Sequence, residues 1–513
     1  MPLKKESIAT EVFELGGSKS KEDDEIHWKD LVPSDIELNE EDIEFLNIKV
    51  VNQPWYRYFA PTDTPKEKKL ILKLDLYILL YLFLSSFVKT LDSSAVSYAY
   101  VSGMKEDLDM VGNQLTYQSS CYMAGFILGQ IPLTLLSTII PIHLYLSLMD
   151  SIWALFTLFI YKIDDYHQLY ALRFCTGLFG SFFFPTVQFI LGSWYKHTEI
   201  SLRSAMYFVA SQVGSMATGY IQAAAYKHLE GVAWLKGWQW LYVLAFIITV
   251  PISLYGFFTL PGLPEKLRPN KGKHHKLVKI FTEYHLLSDE ERKLARLRMI
   301  REGRPSNGKL NLKTIIQCLK SERFWVLVIF AIFFSQADGV SSNSGLPLWL
   351  KANGYSVYQT NTITTVIPAV TIVFSLVNGI IVDSWNSKPL VYPCVIGYVA
   401  VLNMIASIIL TAWHVSKGGI LFAFFLSGTA DSIAAILYSW SNIIRSDNAQ
   451  ERALTLSTMN TLGNTFSVWV PLFVWKTVDA PKYKKGYAYN IALDAMMLLL
   501  LPCVVLLHKK YRK

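Results

Sequence analysis

Lys89, Asp92, Arg173, Asp338 and Asp431 are ionisable residues embedded in long apolar stretches. Charge in such a setting is costly if the stretch crosses a bilayer, so each is a functional candidate. Lys89 and Asp92 lie three residues apart, which on a helix puts them on one face, where they can pair or snorkel together at an interface. Arg173 cannot shed its proton and needs an anion or carbonyls. It can hold a substrate carboxylate through two parallel hydrogen bonds, or lock helices by pairing with Asp150 or Asp92. Asp338 falls within Ser335-Gln336-Ala337-Asp338-Gly339-Val340-Ser341-Ser342-Asn343-Ser344-Gly345, a run too polar to face lipid. Gly339 and Gly345 permit local unwinding, which at membrane depth is tolerated where the backbone lines a cavity. Asn343 of this run joins Arg173 and Lys89 as a candidate substrate contact. Asp431, beside Thr429 and Ser432, is either a proton carrier or an interhelical strut. Asp92, Asp338 and Asp431 are the candidate proton-coupling groups.

The elements that must position these residues are apolar blocks of about 20 residues, the length that spans a bilayer. Twelve are expected, roughly at 70–90, 117–137, 142–161, 168–191, 204–225, 238–260, 324–349, 358–382, 390–413, 418–443, 453–475 and 488–508. The expected organisation is an acidic, mostly disordered tail (1–69), a six-helix bundle (70–260), a basic central loop (261–323), a second six-helix bundle (324–508) and a short tail (509–513). With the N-terminus inside, 35 of the 48 Lys and Arg fall on the cytoplasmic face and 10 on the other, which favours cytoplasmic termini. In the central loop, Ser288-Asp289-Glu290-Glu291 has the capping-box pattern and opens a short basic helix. That helix either lies on anionic lipid or tethers the two bundles.

Composition excludes several classes. Of 513 residues, 52% are hydrophobic and 17% charged, too apolar for a soluble enzyme, a nucleic-acid binder or a disordered chain. Five cysteines without paired spacing give neither a disulfide framework nor a zinc site. No phosphate-cradling G-x-x-x-x-G-K-[ST] run is present, so ATP-driven pumping lacks its signature. No clustered catalytic set of His, Asp, Ser or Cys can be assembled. Residues 1–50 carry 14 Asp or Glu against 6 Lys or Arg and no apolar core, unlike a secretory signal. Pairs of small residues, Gly125 with Gly129, Gly177 with Gly180 and Gly214 with Gly219, suit close helix packing.

From about Lys69 to Lys510 the chain resembles the major facilitator superfamily, and within it the fungal allantoate permease family of organic-anion symporters. The resemblance is carried by Lys73-Leu74-Asp75, Leu91-Asp92, Ala99-Tyr100-Val101-Ser102-Gly103-Met104-Lys105-Glu106-Asp107-Leu108, Leu172-Arg173-Phe174 and Gly192-Ser193-Trp194-Tyr195 with Arg203-Ser204-Ala205. Gly237-Trp238-Gln239-Trp240, Leu348-Trp349-Leu350-Lys351, Leu437-Tyr438-Ser439-Trp440 and Ala480-Pro481-Lys482-Tyr483-Lys484-Lys485-Gly486 add to it. The likeness is greatest to the branch containing biotin and pantothenate transporters. It implies an all-α membrane protein of two six-helix bundles working by alternating access, with no cofactor beyond a proton gradient. It further implies a plasma-membrane symporter, expected to be monomeric, whose partners are a small carboxylate, protons and the lipid bilayer. Another small organic anion as cargo, or a nutrient sensor without transport, remains an alternative.

The chain departs from the family pattern at several points. Ser93 replaces the Arg after the first-span Asp, Gln239 the Arg of G-W-R-W, and Gly180 the Glu of R-F-x-x-G-x-x-E, so coupling must use another carboxyl. The superfamily's G-x-x-x-D-R-x-G-R/K loop survives as Gly379-x-x-x-Asp383 with Lys388 between spans eight and nine. Its usual role as a latch makes Asp383 and Lys388 gating candidates.

Overall fold

The computed structural model describes residues 32–33, 36, 38–48, 58–111, 114–264, 286–302, 312–342, 345–355, 359, 363–385, 388, 390–475, 479 and 481–511; among them all regular structure is helical. The helices are α1 (Glu40–Asn47), α2 (Pro65–Leu74), α3 (Leu80–Ala99), α4 (Gln114–Leu136), α5 (Ile142–Phe159), α6 (Tyr166–Gly180), α7 (Phe183–Trp194), α8 (Ile200–Leu229) and α9 (Gly237–Thr259). A central pair, α10 (Asp289–Arg301) and α11 (Leu312–Lys320), leads to α12 (Glu322–Ala337), α13 (Gly345–Ala352), α14 (Val366–Ser384) and α15 (Val391–Ala412). The chain ends with α16 (Lys417–Ser427), α17 (Ser432–Ile444), α18 (Ala449–Val474) and α19 (Lys484–Tyr511).

Nine segments among the described residues are long and apolar enough to cross a membrane. The expected spans at 204–225, 324–349 and 453–475 coincide with α8, α12–α13 and α18, which are helical but not among those nine. Their sequences explain this: α8 and α18 are rich in Ser, Thr, Asn and Gln, and α12 is interrupted at Asp338.

Local chemistry sets where the helices start and break. The first span begins at Pro65 rather than near 70, because Thr64 Oγ1 accepts from the Glu67 N–H at 3.2 Å while Glu67 reaches back to the Thr64 N–H at 3.2 Å. It continues through a π-helical turn, Asp75–Leu79, into α3. The fourth span breaks between α6 and α7. Pro185 has no N–H to offer the Ser181 carbonyl one turn back, and Gln130 Nε2 donates to that carbonyl instead at 3.2 Å. The tenth span breaks after α16, where Thr371 Oγ1 donates to the Gly428 carbonyl at 2.7 Å. Helices α4 and α6 are in backbone contact: a Cβ at Gly125 would collide with the Phe174 carbonyl, and one at Gly177 with the Tyr122 carbonyl.

Within the stretch read as an acidic tail, α1 is ordered. Phe45 and Leu46 pack on Leu297 and Ile300 of α10, Lys293 pairs with Asp42 at 2.5 Å, and Arg301 lies 4.2 Å from the Phe45 ring centre. Four of the five basic residues of α10, Arg292, Arg296, Arg298 and Arg301, are buried. Arg298 meets Glu199 at 2.9 Å and Arg301 meets Glu67 at 2.8 Å, in a buried cluster that also joins Lys196 to Asp63 at 2.5 Å. The helix is thereby tied to α2 and to the α7–α8 turn.

Candidate substrate and proton site

Two clusters hold the candidate residues. In the first, Arg173 stands two turns into α6, which Asp165 caps by accepting from the His167 N–H at 3.2 Å. Arg173 is 6% exposed; its Nε donates to Gln118 Oε1 at 2.9 Å and its guanidinium lies 4.5 Å from the Tyr122 ring centre. It forms no ion pair among the described residues, with Asp150 or with Asp92.

Lys89 does not pair with Asp92. Helical side chains lean toward the helix N-terminus, so Lys89 reaches back to α5, where Nζ lies 3.0 Å from Asp150 Oδ1. The contact is ionic rather than a directed hydrogen bond. Asp150 Oδ2 accepts from Tyr81 at 2.6 Å and Ser85 at 2.8 Å. Lys89 Nζ also sits 4.1 Å from the Trp153 ring and 4.6 Å from the Phe183 ring. Trp153 in turn packs on Gly180, whose Cβ would meet the ring at 3.4 Å. Thus an indole stands beside the position where the family pattern has a carboxylate. Asp92 is 3% exposed and neither of its oxygens has a hydrogen-bond partner. Lys89, Arg173 and Thr157 are the polar groups around it. A buried acid left in that condition calls for an explanation.

The second cluster forms where two spans break. Asp338 immediately follows α12 and Asp431 immediately precedes α17. The Asp338 side chain neighbours the Asp431 carboxyl, and two acids that share a buried site repel each other when both are ionised. Gln212 Nε2 of α8 donates to Asp431 Oδ2 at 3.3 Å, joining the N-terminal helices to this pair. Asn343 lies outside the described residues.

Toward the end of the fold that carries α1 and α10, the two halves are fastened together. Asp383, at the end of α14, accepts from the Ser201 and Leu202 N–H groups at 3.0 and 2.8 Å. A carboxylate at the start of α8 meets free backbone donors and the positive end of the helix dipole. Arg452 donates to Ser193 Oγ at 2.6 Å, and Asn442 to the Gln188 carbonyl at 3.0 Å. Lys388 is exposed, and no ion pair joins it to Asp383 among the described residues. Burial alone would raise the Glu199 carboxyl, but Arg298, Lys196 and Arg203 beside it hold it well below the usual carboxylate range.

Gln118, Gln212, Glu199 and the central-segment arginines were not singled out from sequence. Neutral amides carry no burial penalty large enough to mark them, and Arg298 and Arg301 lie in a basic stretch where charge is ordinary.

Residues 82–471 match the Major Facilitator Superfamily. The chain is similar to the pantothenate transporter liz1 of Schizosaccharomyces pombe, 34% identical over 82% of this chain and 78% of that protein. It is also similar to the vitamin H transporter of Saccharomyces cerevisiae, 30% identical over 90% and 77% respectively. Among solved structures, the proton:xylose symporter XylE superposes with a TM-score of 0.61 at 14% identity, covering 85% of this chain and 95% of XylE. That likeness concerns the fold alone.

Proposed function

The chain belongs to the Major Facilitator Superfamily, a transporter rather than an enzyme, and we propose that it imports a small organic carboxylate together with protons across the plasma membrane. Pantothenate is the first candidate cargo and vitamin H the second, from the names of the relatives. The observation that carries this reading is Arg173, a buried guanidinium held at Nε by Gln118 and lacking an acid partner among the described residues. Its remaining N–H groups suit the two oxygens of a carboxylate. Asp92, close by and without a hydrogen-bond partner, takes a proton as the anion arrives, so the site never holds a bare excess charge.

The Asp338–Asp431 pair serves the second half of the cycle. Its proton lets the two acids approach, and loss of that proton drives them apart by like-charge repulsion. Both stand at broken helices, where a small backbone rotation moves them readily. The fastened end is the cytoplasmic gate, with Asp383 as its latch and both termini on the same side. A single chain supplies both halves.

Expression in cells lacking their own vitamin uptake, with labelled pantothenate and labelled vitamin H competed by a panel of small acids, tests the cargo. Saturable uptake of one vitamin, inhibited by acids but not by their amides, is expected. Equal inhibition by the amides would remove the carboxylate from the recognised features.

A further inference from the structure

Asp494 of α19 is completely buried and takes no part in either cluster. Its two oxygens accept from Asn403 Nδ2 of α15 at 3.2 and 3.1 Å. The same nitrogen donates to the Ala337 carbonyl at 3.0 Å. Ala337 is the last residue of α12, and its carbonyl is one of those that a helix end leaves without a donor from its own ladder. The next residue is Asp338. One amide nitrogen therefore ties the loose end of the broken span to a carboxyl two helices away. Its two hydrogens account for both contacts, one for Ala337 and one shared by the Asp494 oxygens.

We propose that Asp494 and Asn403 are positioning residues: they fix the broken end of α12 so that Asp338 meets Asp431. This rests on the proton-coupled reading of that pair. Asp494 receives no cation in an ion pair among the described residues, so Asn403 is the partner that holds it in place. The Asp494 charge or dipole polarises the Asn403 amide and strengthens its grip on Ala337. Without that grip the carbonyl is free to turn, and with it the direction in which Asp338 leaves the chain. A carboxyl pair is sensitive to such a change, since a misplacement of about 1 Å can cost on the order of a hundredfold in rate.

The test compares gradient-driven accumulation with substrate exchange at equal pH, using the full chain in proteoliposomes and labelled pantothenate. Asp494→Asn keeps an acceptor for the Asn403 amide and should behave as the parent. Asn403→Leu with Asp494→Leu removes both polar partners at once, a replacement that stability tolerates far better than removing one. The double variant should lose accumulation by about tenfold to a hundredfold while exchange stays near the parent level. A purely packing role would lower both activities together with the amount of folded protein, and that outcome overturns the proposal. Undiminished accumulation by the double variant overturns it as well. If the parent protein exchanges substrate but an imposed proton gradient drives no accumulation, the proton-coupled reading fails, which is a separate result.

Discussion

The Nε of Arg173 donates to Gln118 Oε1 at 2.9 Å, a neutral amide where an acid would have been expected if this arginine were a structural ion pair. Gln118 fixes the plane of the guanidinium without neutralising it. The only two acids first considered as partners are otherwise placed: Asp150 faces Lys89, Tyr81 and Ser85, and Asp92 accepts no hydrogen bond.

Arg173→Ala should therefore abolish carboxylate uptake while the protein still reaches the membrane. Losing a buried charged hydrogen bond costs roughly 2–5 kcal/mol, or tens to thousands of fold in affinity. Arg173→Lys retains the charge but not the fork, and should retain only part of the uptake. Binding of labelled substrate to surface-localised variant measures this. Normal affinity in the alanine variant would shift the anion site to Lys89.

Asp431→Asn keeps a hydrogen-bonding partner for Asp338 and Gln212 but cannot release a proton. Exchange of internal for external substrate should survive, and accumulation against a concentration gradient should cease. Accumulation equal to the parent would make the Asp338–Asp431 contact a strut.

Asp383→Ala leaves the Ser201 and Leu202 N–H groups without their acceptor. Loss of a helix-start cap costs about 0.5–2 kcal/mol, and 1–2 kcal/mol is roughly a factor of 5–30 in a two-state balance. The closed end should open more often. A cysteine at Ser193, in a protein lacking the native cysteines, should then be alkylated faster. An unchanged rate would deny Asp383 a latch role.

The Glu199 carboxyl lies below its ordinary range in the folded state, so its contribution to stability is present above its unfolded value, about 4.3, and lost as pH falls through the folded one. Glu199→Gln takes one of two acids from Arg298, which keeps Glu67, and one of three from Lys196, which keeps Asp63 and Glu67, so the loss at pH 7 should fall below the roughly 3–5 kcal/mol of a buried pair that loses its sole partner. Thermal unfolding followed from pH 7 to pH 3 should show this gap narrowing below about pH 4. A gap of constant size would mean that the arginine contacts do not depend on the Glu199 charge.

Asp338 and Asp431 were legible in the sequence because an acid within an apolar run has few innocent explanations, and Gly339 marked the break beside one of them. Their contact with each other was not, since it depends on two helix breaks meeting in space. The same limit applies to Lys89: spacing alone offered Asp92, whereas the lean of the side chain delivers it to Asp150 on another helix. Docking of α1 was hidden because two apolar residues, Phe45 and Leu46, sit in a segment whose average composition is acidic. Neutral Gln118 and Gln212 left no trace that periodicity or charge could register, although they hold the two clusters.

The most direct test of coupled transport is purified protein in lightly buffered proteoliposomes, with external pH recorded as pantothenate is added without any imposed gradient. Entry of substrate with protons should alkalinise the medium, in proportion to substrate taken up, and a protonophore should dissipate the signal. The Asp431→Asn variant should take up substrate to equilibrium with little change in pH. Saturable uptake by the parent protein with no proton movement would contradict the account.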